Sequence, residues 1–167
     1  MALRKNLYNF FIWLAVIGFS IWIGGTIFSM CVVVPMWSES PESIKEFFGG
    51  TNFNKYILNF FAPWLGSIRL FPLLISLGLI WYSKKHRYYL LITLLTLLFT
   101  IIYTNIVIYP INDIMMTKAG AGKTAEELKI MADKWIIADH LRFAVVCVGY
   151  FFLLKAFRLP TPEARKV

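Results

Sequence analysis

Four long apolar runs separated by polar or turn-rich segments organise the chain, at roughly Tyr8 to Val34, Tyr56 to Tyr82, Tyr88 to Tyr109 and Ala138 to Ala156. A helix rising about 1.5 Å per residue needs roughly 20 residues to cross ~30 Å of hydrocarbon, and each run is long enough. Backbone groups in lipid must bond within their own segment, so the runs predict one compact bundle of antiparallel helices, joined by a short basic turn at 83–87 and two longer loops on the other side. The expectation is an all-α membrane protein: a single domain over residues 1–167, an antiparallel bundle of four transmembrane helices with extended non-cytoplasmic loops. The basic start "MALRKNLYNFF" invites a signal-peptide reading. The apolar run behind it is much longer than a signal core of about 7–15 residues and lacks a small-residue cleavage site, so it is read as retained.

Helical phase sharpens the fourth run. Thr124 and Glu127 have the spacing of a capping box, and neither Pro nor Gly interrupts the chain from there until Gly149, which predicts one helix that starts outside the membrane and runs inward. At ~100° per residue, Leu128, Met131, Trp135, Asp139, Arg142, Val146, Gly149 and Leu153 fall on one stripe. That stripe is the packing face, so Asp139 and Arg142 are expected to point into the bundle. His140 falls off it, in phase with Cys147.

In the second run, Asn59, Ala62, Gly66 and Arg69 share a helical face, with Pro63 and Pro72 on either side of Arg69. Arg69 lies near the predicted bilayer midplane, too deep to snorkel, and is expected to face the interior or a wet cavity. In the third run Thr93, Thr96, Thr100 and Thr104 form a line expected to bond to its own backbone, whereas Asn105 and Asn112 share another face. The small-residue pairs Gly25/Ser29 and Ser20/Gly24 in the first run predict close helix contact.

Composition agrees with the pattern: 59% hydrophobic and 16% charged residues, with a mean hydropathy of +0.66, exceed what a soluble domain carries. The net charge of +8 is localised. Arg4, Lys5, Lys84, Lys85, Arg87, Lys155, Arg158, Arg165 and Lys166 face a single acid, Glu163, on one predicted side, while the remaining cations are matched by acids. By the positive-inside rule both termini are cytoplasmic, and the expected location is a plasma membrane such as a bacterial inner membrane. The basic excess therefore reports topology and attraction to anionic lipid, with no nucleic acid as partner. The expected partners are membrane lipid, a hydrophobic aromatic small molecule and, as an oligomer, further copies of the chain.

Candidate chemistry is sparse. The two histidines, His86 and His140, sit on opposite sides and cannot share a haem, and Asp113, Asp139 and His140 do not converge by spacing, so no metal is expected. Cys31 and Cys147 read as free thiols, paired only if the outer ends of the first and fourth helices adjoin. An Asp and an Arg three residues apart also have a plain role, pairing to fix a helix at the interface. Trp135, like Trp37 and Tyr109, also suits an interfacial aromatic belt.

The stretches "IWIGGTIFSMCVVVPMW", "VIYPINDIMM" and "KWIIADHLRF" together resemble a family of small four-helix membrane proteins that includes the anthrone oxygenases. The matching positions are Pro110 to Asn112, and Trp135 with Arg142 seven residues on; Asp139 stands where the family often has Asn or His. The resemblance implies oxygenation of a polycyclic phenolic ketone without cofactor or metal; the placement of the polar residues predicts a pocket near the non-cytoplasmic face. Such chemistry needs a base, donors for a developing oxyanion and an aromatic chamber. Asp139 or His140 are the candidate bases, with Arg142 as a third catalytic group. Arg69, Asn59, Asn105, Asn112 and Trp135 are the candidate substrate-binding residues. Two other classes stay open: a carrier in which Arg69 recognises an anionic solute, and a non-catalytic subunit of a larger membrane enzyme.

Overall fold

In the computed structural model, residues 2–48, 59–61, 63–116 and 122–161 are described. Among them the chain is helical almost throughout, without β-strands. The helices are α1 (Ala2–Phe28), α2 (Val34–Ser38), α3 (Pro41–Phe48), α4 (Pro63–Leu79), α5 (Lys84–Tyr103), α6 (Tyr109–Met116) and α7 (Ala125–Phe157). Single π-helical turns, Ser29–Val33 and Thr104–Ile108, join α1 to α2 and α5 to α6 without a break. Three stretches are long and apolar enough to cross a membrane: Ala2–Ser38, Lys84–Met115 and Ala125–Phe157. This marks the chain as an integral membrane protein. The fourth apolar helix is shorter, Trp64–Leu79. The beginning of the second apolar run and Ala62 lie outside the described residues, as do Glu163, Arg165 and Lys166.

Both π turns have the same local cause. Each ends two residues before a proline, Val33 before Pro35 and Ile108 before Pro110. Proline has no N–H and its ring crowds the carbonyl four residues back, so an α-helix meets a steric conflict at that point. Widening the preceding turn, with Val34 N–H bonding to Ser29 O and Tyr109 N–H to Thr104 O, carries the helix past the ring without a break. The extra residue rotates everything beyond it by about 100°, so seven-residue spacing across the turn no longer preserves a face. Asn105 and Asn112 are accordingly separated: Asn105 is exposed and bonds back to Ile101 O at 2.8 Å, while Asn112 is half-buried on α6.

The long helices pack around a cycle in which α1 contacts α4, α4 contacts α5, α5 contacts α7 and α7 contacts α1. Their directions follow from side-chain contacts. Arg4 at the start of α1 donates to Leu79 O at the end of α4 at 2.6 Å, and Thr161 beyond α7 donates to Asn9 Oδ1 at 3.0 Å. Farther along, Ser20 meets Tyr150 at 2.8 Å, and Thr93 on α5 donates to Gly149 O on α7 at 3.0 Å. Neighbours in the cycle therefore run antiparallel at these three interfaces.

Between apolar helices in lipid, burial supplies no differential transfer energy, so close packing must hold the contacts. Two glycines do this. A methyl on Gly18 would stand 2.9 Å from Ile68 O, the carbonyl whose helical partner is lost because Pro72 has no N–H. A methyl on Gly149 would collide with the Thr96 side chain. Gly25 is close to the Phe60 ring, but a methyl on Gly24 would meet nothing within 4 Å. The expectation for Ser20/Gly24 is thus corrected at Gly24, which is exposed; Ser20 meets Tyr150, Gly25 approaches closely as expected, and Gly18 adds a close approach outside both pairs.

Burial divides into two clusters. One lies along the length of α1, α4, α5 and α7 and includes Ile12, Phe19, Trp22, Leu73, Leu90, Leu97, Val146 and Leu153. The other is built from Val33, Val34, Trp37, Ile44, Met115, Leu128 and Ala132, where α2, α3 and α6 pack on the first turns of α7. The capping box that starts α7 is present: Thr124 Oγ1 accepts from Glu127 N at 3.2 Å and Glu127 Oε2 from Thr124 N at 2.8 Å.

Candidate functional site

The uninterrupted phase of α7 fixes the first part of the site. Asp139 is 2% exposed, and its Oδ1 accepts from Arg142 Nη2 in a close ion pair three residues along the same helix. Arg142, half-buried, extends a second nitrogen, Nη1, to Thr104 Oγ1 at 3.3 Å. Thr104 opens the π turn forced by Pro110, and it in turn donates to Thr100 O at 2.7 Å. Its hydroxyl is therefore oriented by its own helix before it receives Arg142.

The second part comes from α4. Arg69 is 8% exposed, and its Nε donates to Leu65 O, one turn back, at 3.1 Å. Among the described residues no carboxylate lies within ion-pair distance of it. Its guanidinium instead stands 4.9 Å from the centroid of the Trp22 ring and 5.9 Å from that of Phe19. The guanidinium of Arg142 is 5.7 Å from the same Trp22 ring. One buried indole on α1 thus serves two cations from α4 and α7, which are near enough to repel each other.

Cation–π attraction is worth about 0.5–2 kcal/mol per contact, whereas an unpaired charge buried in a membrane helix costs at least ~2.5 kcal/mol. The indole therefore offsets only part of the cost of holding Arg69 inside. With two guanidiniums and one carboxylate, the constellation keeps an excess positive charge. Arg142 Nε is buried and has no hydrogen-bond partner among the described residues.

The other sequence candidates fall elsewhere. His140 is exposed, and its Nδ1 lies 2.6 Å from Ile136 O, one turn back on α7. Only one residue from Asp139, it is turned ~100° away from it around the helix, so as a base it faces outward. Asn59 is exposed too, and its backbone carbonyl accepts from Trp64 Nε1 at 3.3 Å. It precedes the turn at Phe61 that leads into α4, so it does not share the helical phase that placed it beside Arg69. Asn105, inside the π turn, is exposed and bonds back to its own helix. Trp135 lies one turn outward from Asp139, with its ring edge-on to Trp37 at 5.5 Å and its indole nitrogen buried without a hydrogen-bond partner. Asn112 is half-buried on α6.

Trp22, Phe19 and Thr104 were not among the candidates. Trp22 sits at i, i+3, i+4 spacing with Phe19, Gly18 and Thr26, but α1 is apolar on every side, so nothing in its pattern marks the buried face. Thr104 was legible as a backbone-bonded threonine, and it is one; only the approach of α7 gives its oxygen a second role.

Among the described residues, no three His, Cys, Asp or Glu side chains come together as a metal site, and Cys31 and Cys147 are free. Compared with known proteins, the chain matches no family model, no curated protein and no solved structure, so its chemistry must be argued from the Trp22, Arg69, Asp139 and Arg142 constellation itself.

Proposed function

We propose that this protein is a four-span antiparallel membrane bundle that binds an apolar aromatic or quinone-like molecule beside Trp22 and oxidises it as the anthrone oxygenases do, without a bound cofactor. The short α4 is the fourth span. Supporting it, the N-terminal Arg4, the α4–α5 turn and the end of α7 meet at one end of the helices, through Arg4 with Leu79 O and Asn9 with Thr161. That is the basic end, and its excess of Lys and Arg supports a cytoplasmic side for both termini by the positive-inside rule.

The observation that carries the reading is Asp139, a carboxylate at 2% exposure paired with Arg142, whose guanidinium shares the Trp22 indole with that of Arg69. In the reaction an activated methylene loses a proton to Asp139, and its electron pair delocalises onto the ring carbonyl oxygen. Arg142 and Arg69 stabilise that oxyanion. The carbanion adds dioxygen, and loss of water leaves a new carbonyl, so one methylene and one dioxygen give one ketone and one water. Trp22, rather than Trp135, is the aromatic wall of the site, and His140 has no part in it.

The test is oxygen uptake and quinone absorbance when purified protein is incubated with a hydroxylated anthrone. Asp139→Asn should lower turnover by about 10²–10⁴-fold, and His140→Gln should leave it unchanged. Turnover no greater than that of the Asp139→Asn, His140→Gln double variant ends the oxygenase reading. A carrier is the second reading, favoured by Arg69 having no carboxylate within ion-pair distance among the described residues. It predicts Arg69-dependent flux of an organic anion into liposomes.

A further inference from the structure

The charge balance of the site specifies its ligand more narrowly than its position does. We infer that Arg69 and Arg142 receive the oxyanion of a singly charged, otherwise apolar molecule, seated against the indole of Trp22; this rests on the proposed reading that an apolar small molecule binds there.

Three observations converge. Arg69 is more than nine-tenths buried, its Nε is satisfied by Leu65 O, and among the described residues its two terminal nitrogens make no hydrogen bond or ion pair. Arg142 Nε is buried and unpartnered as well. The local carboxylate, Asp139, is held by Arg142, which leaves one positive charge in excess. Guanidinium nitrogens lie in one plane and favour oxygen acceptors with delocalised charge, such as carboxylate or phenolate. A single negative charge neutralises the site, whereas a dianion would leave an excess of the opposite sign in a low-dielectric interior. The surroundings, Trp22 with Phe19 and Phe61 around it, suit an apolar body.

The inference is tested on the full-length protein in a non-ionic detergent by isothermal titration at pH 7, using matched probes: 2-naphthoate against 2-naphthamide, and laurate against lauramide. Each acid should bind at least about tenfold more tightly than its neutral amide. Arg69→Gln should remove that difference while leaving the amide's affinity, the helix content and the melting temperature in place. Asp139→Asn should tighten the acid several-fold, since it removes the competing internal anion. That gain is a result a misfolded variant cannot mimic. Equal binding of acid and amide, or weaker acid binding by Asp139→Asn, overturns the inference and leaves the apolar site standing. If none of the four probes binds, the proposed function fails with it. Laurate well above naphthoate supports the anion site and overturns the aromatic part of the proposed function.

Discussion

Arg69 and Arg142 carry the same charge against the same indole, yet their local settings differ. Around Arg142, α7 supplies its own counter-ion three residues away, and α5 adds an oriented hydroxyl. Around Arg69, α4 supplies only a backbone carbonyl, and tertiary packing adds aromatic faces. One cation has an internal counter-ion and, among the described residues, keeps a nitrogen free; the other is held inside at a net cost. The difference teaches where folding ends and ligand chemistry begins, because a pair that neutralises itself stabilises the fold, whereas an uncompensated charge is costly until something else arrives.

Substitutions that break this contrast should fall in a definite order. Arg142→Met leaves Asp139 buried without a counter-ion and should cost about 3–5 kcal/mol, read as a loss of resistance to denaturation by detergent titration or heat. Gly149→Leu should follow at about 1–3 kcal/mol, because the new side chain collides with Thr96 and pushes apart the α5–α7 interface that brings Thr104 to Arg142. Thr104→Val removes one long hydrogen bond to Arg142 and should cost less than Gly149→Leu, about 1 kcal/mol, with a double-mutant cycle against Arg142 reporting the coupling. Arg69→Met should cost nothing or raise the unfolding temperature, since no internal partner is orphaned; a fall as large as that of Arg142→Met would sink the comparison. His140→Gln, on the exposed side of α7, should stay within about 0.5 kcal/mol of the parent by the same assay.

How far the site could be read from the chain depended on how local its causes were. The start and continuity of α7 follow from Thr124, Glu127 and the absence of helix breakers, so the inward placement of Asp139 and Arg142 could be reasoned from one helix alone. Arg69 could be placed inside because a guanidinium so deep in an apolar run has no route to water. The asparagines were harder. Asn59 precedes the turn into α4, and Asn105 lies within a π turn, so a constant 100° step assigned both to faces they do not occupy.

The sequence by itself determined the helices, their apolar character and the internal Asp139–Arg142 pair, because each depends on residues within a turn or two of each other. Only the tertiary structure decided that Trp22 would lie beneath both guanidiniums and that Thr104 would meet Arg142. In helices apolar on every face, hydrophobic pattern carries no direction. The choice of partner then rests with the points of closest backbone approach, at Gly18 and Gly149, where shape rather than polarity selects the neighbour.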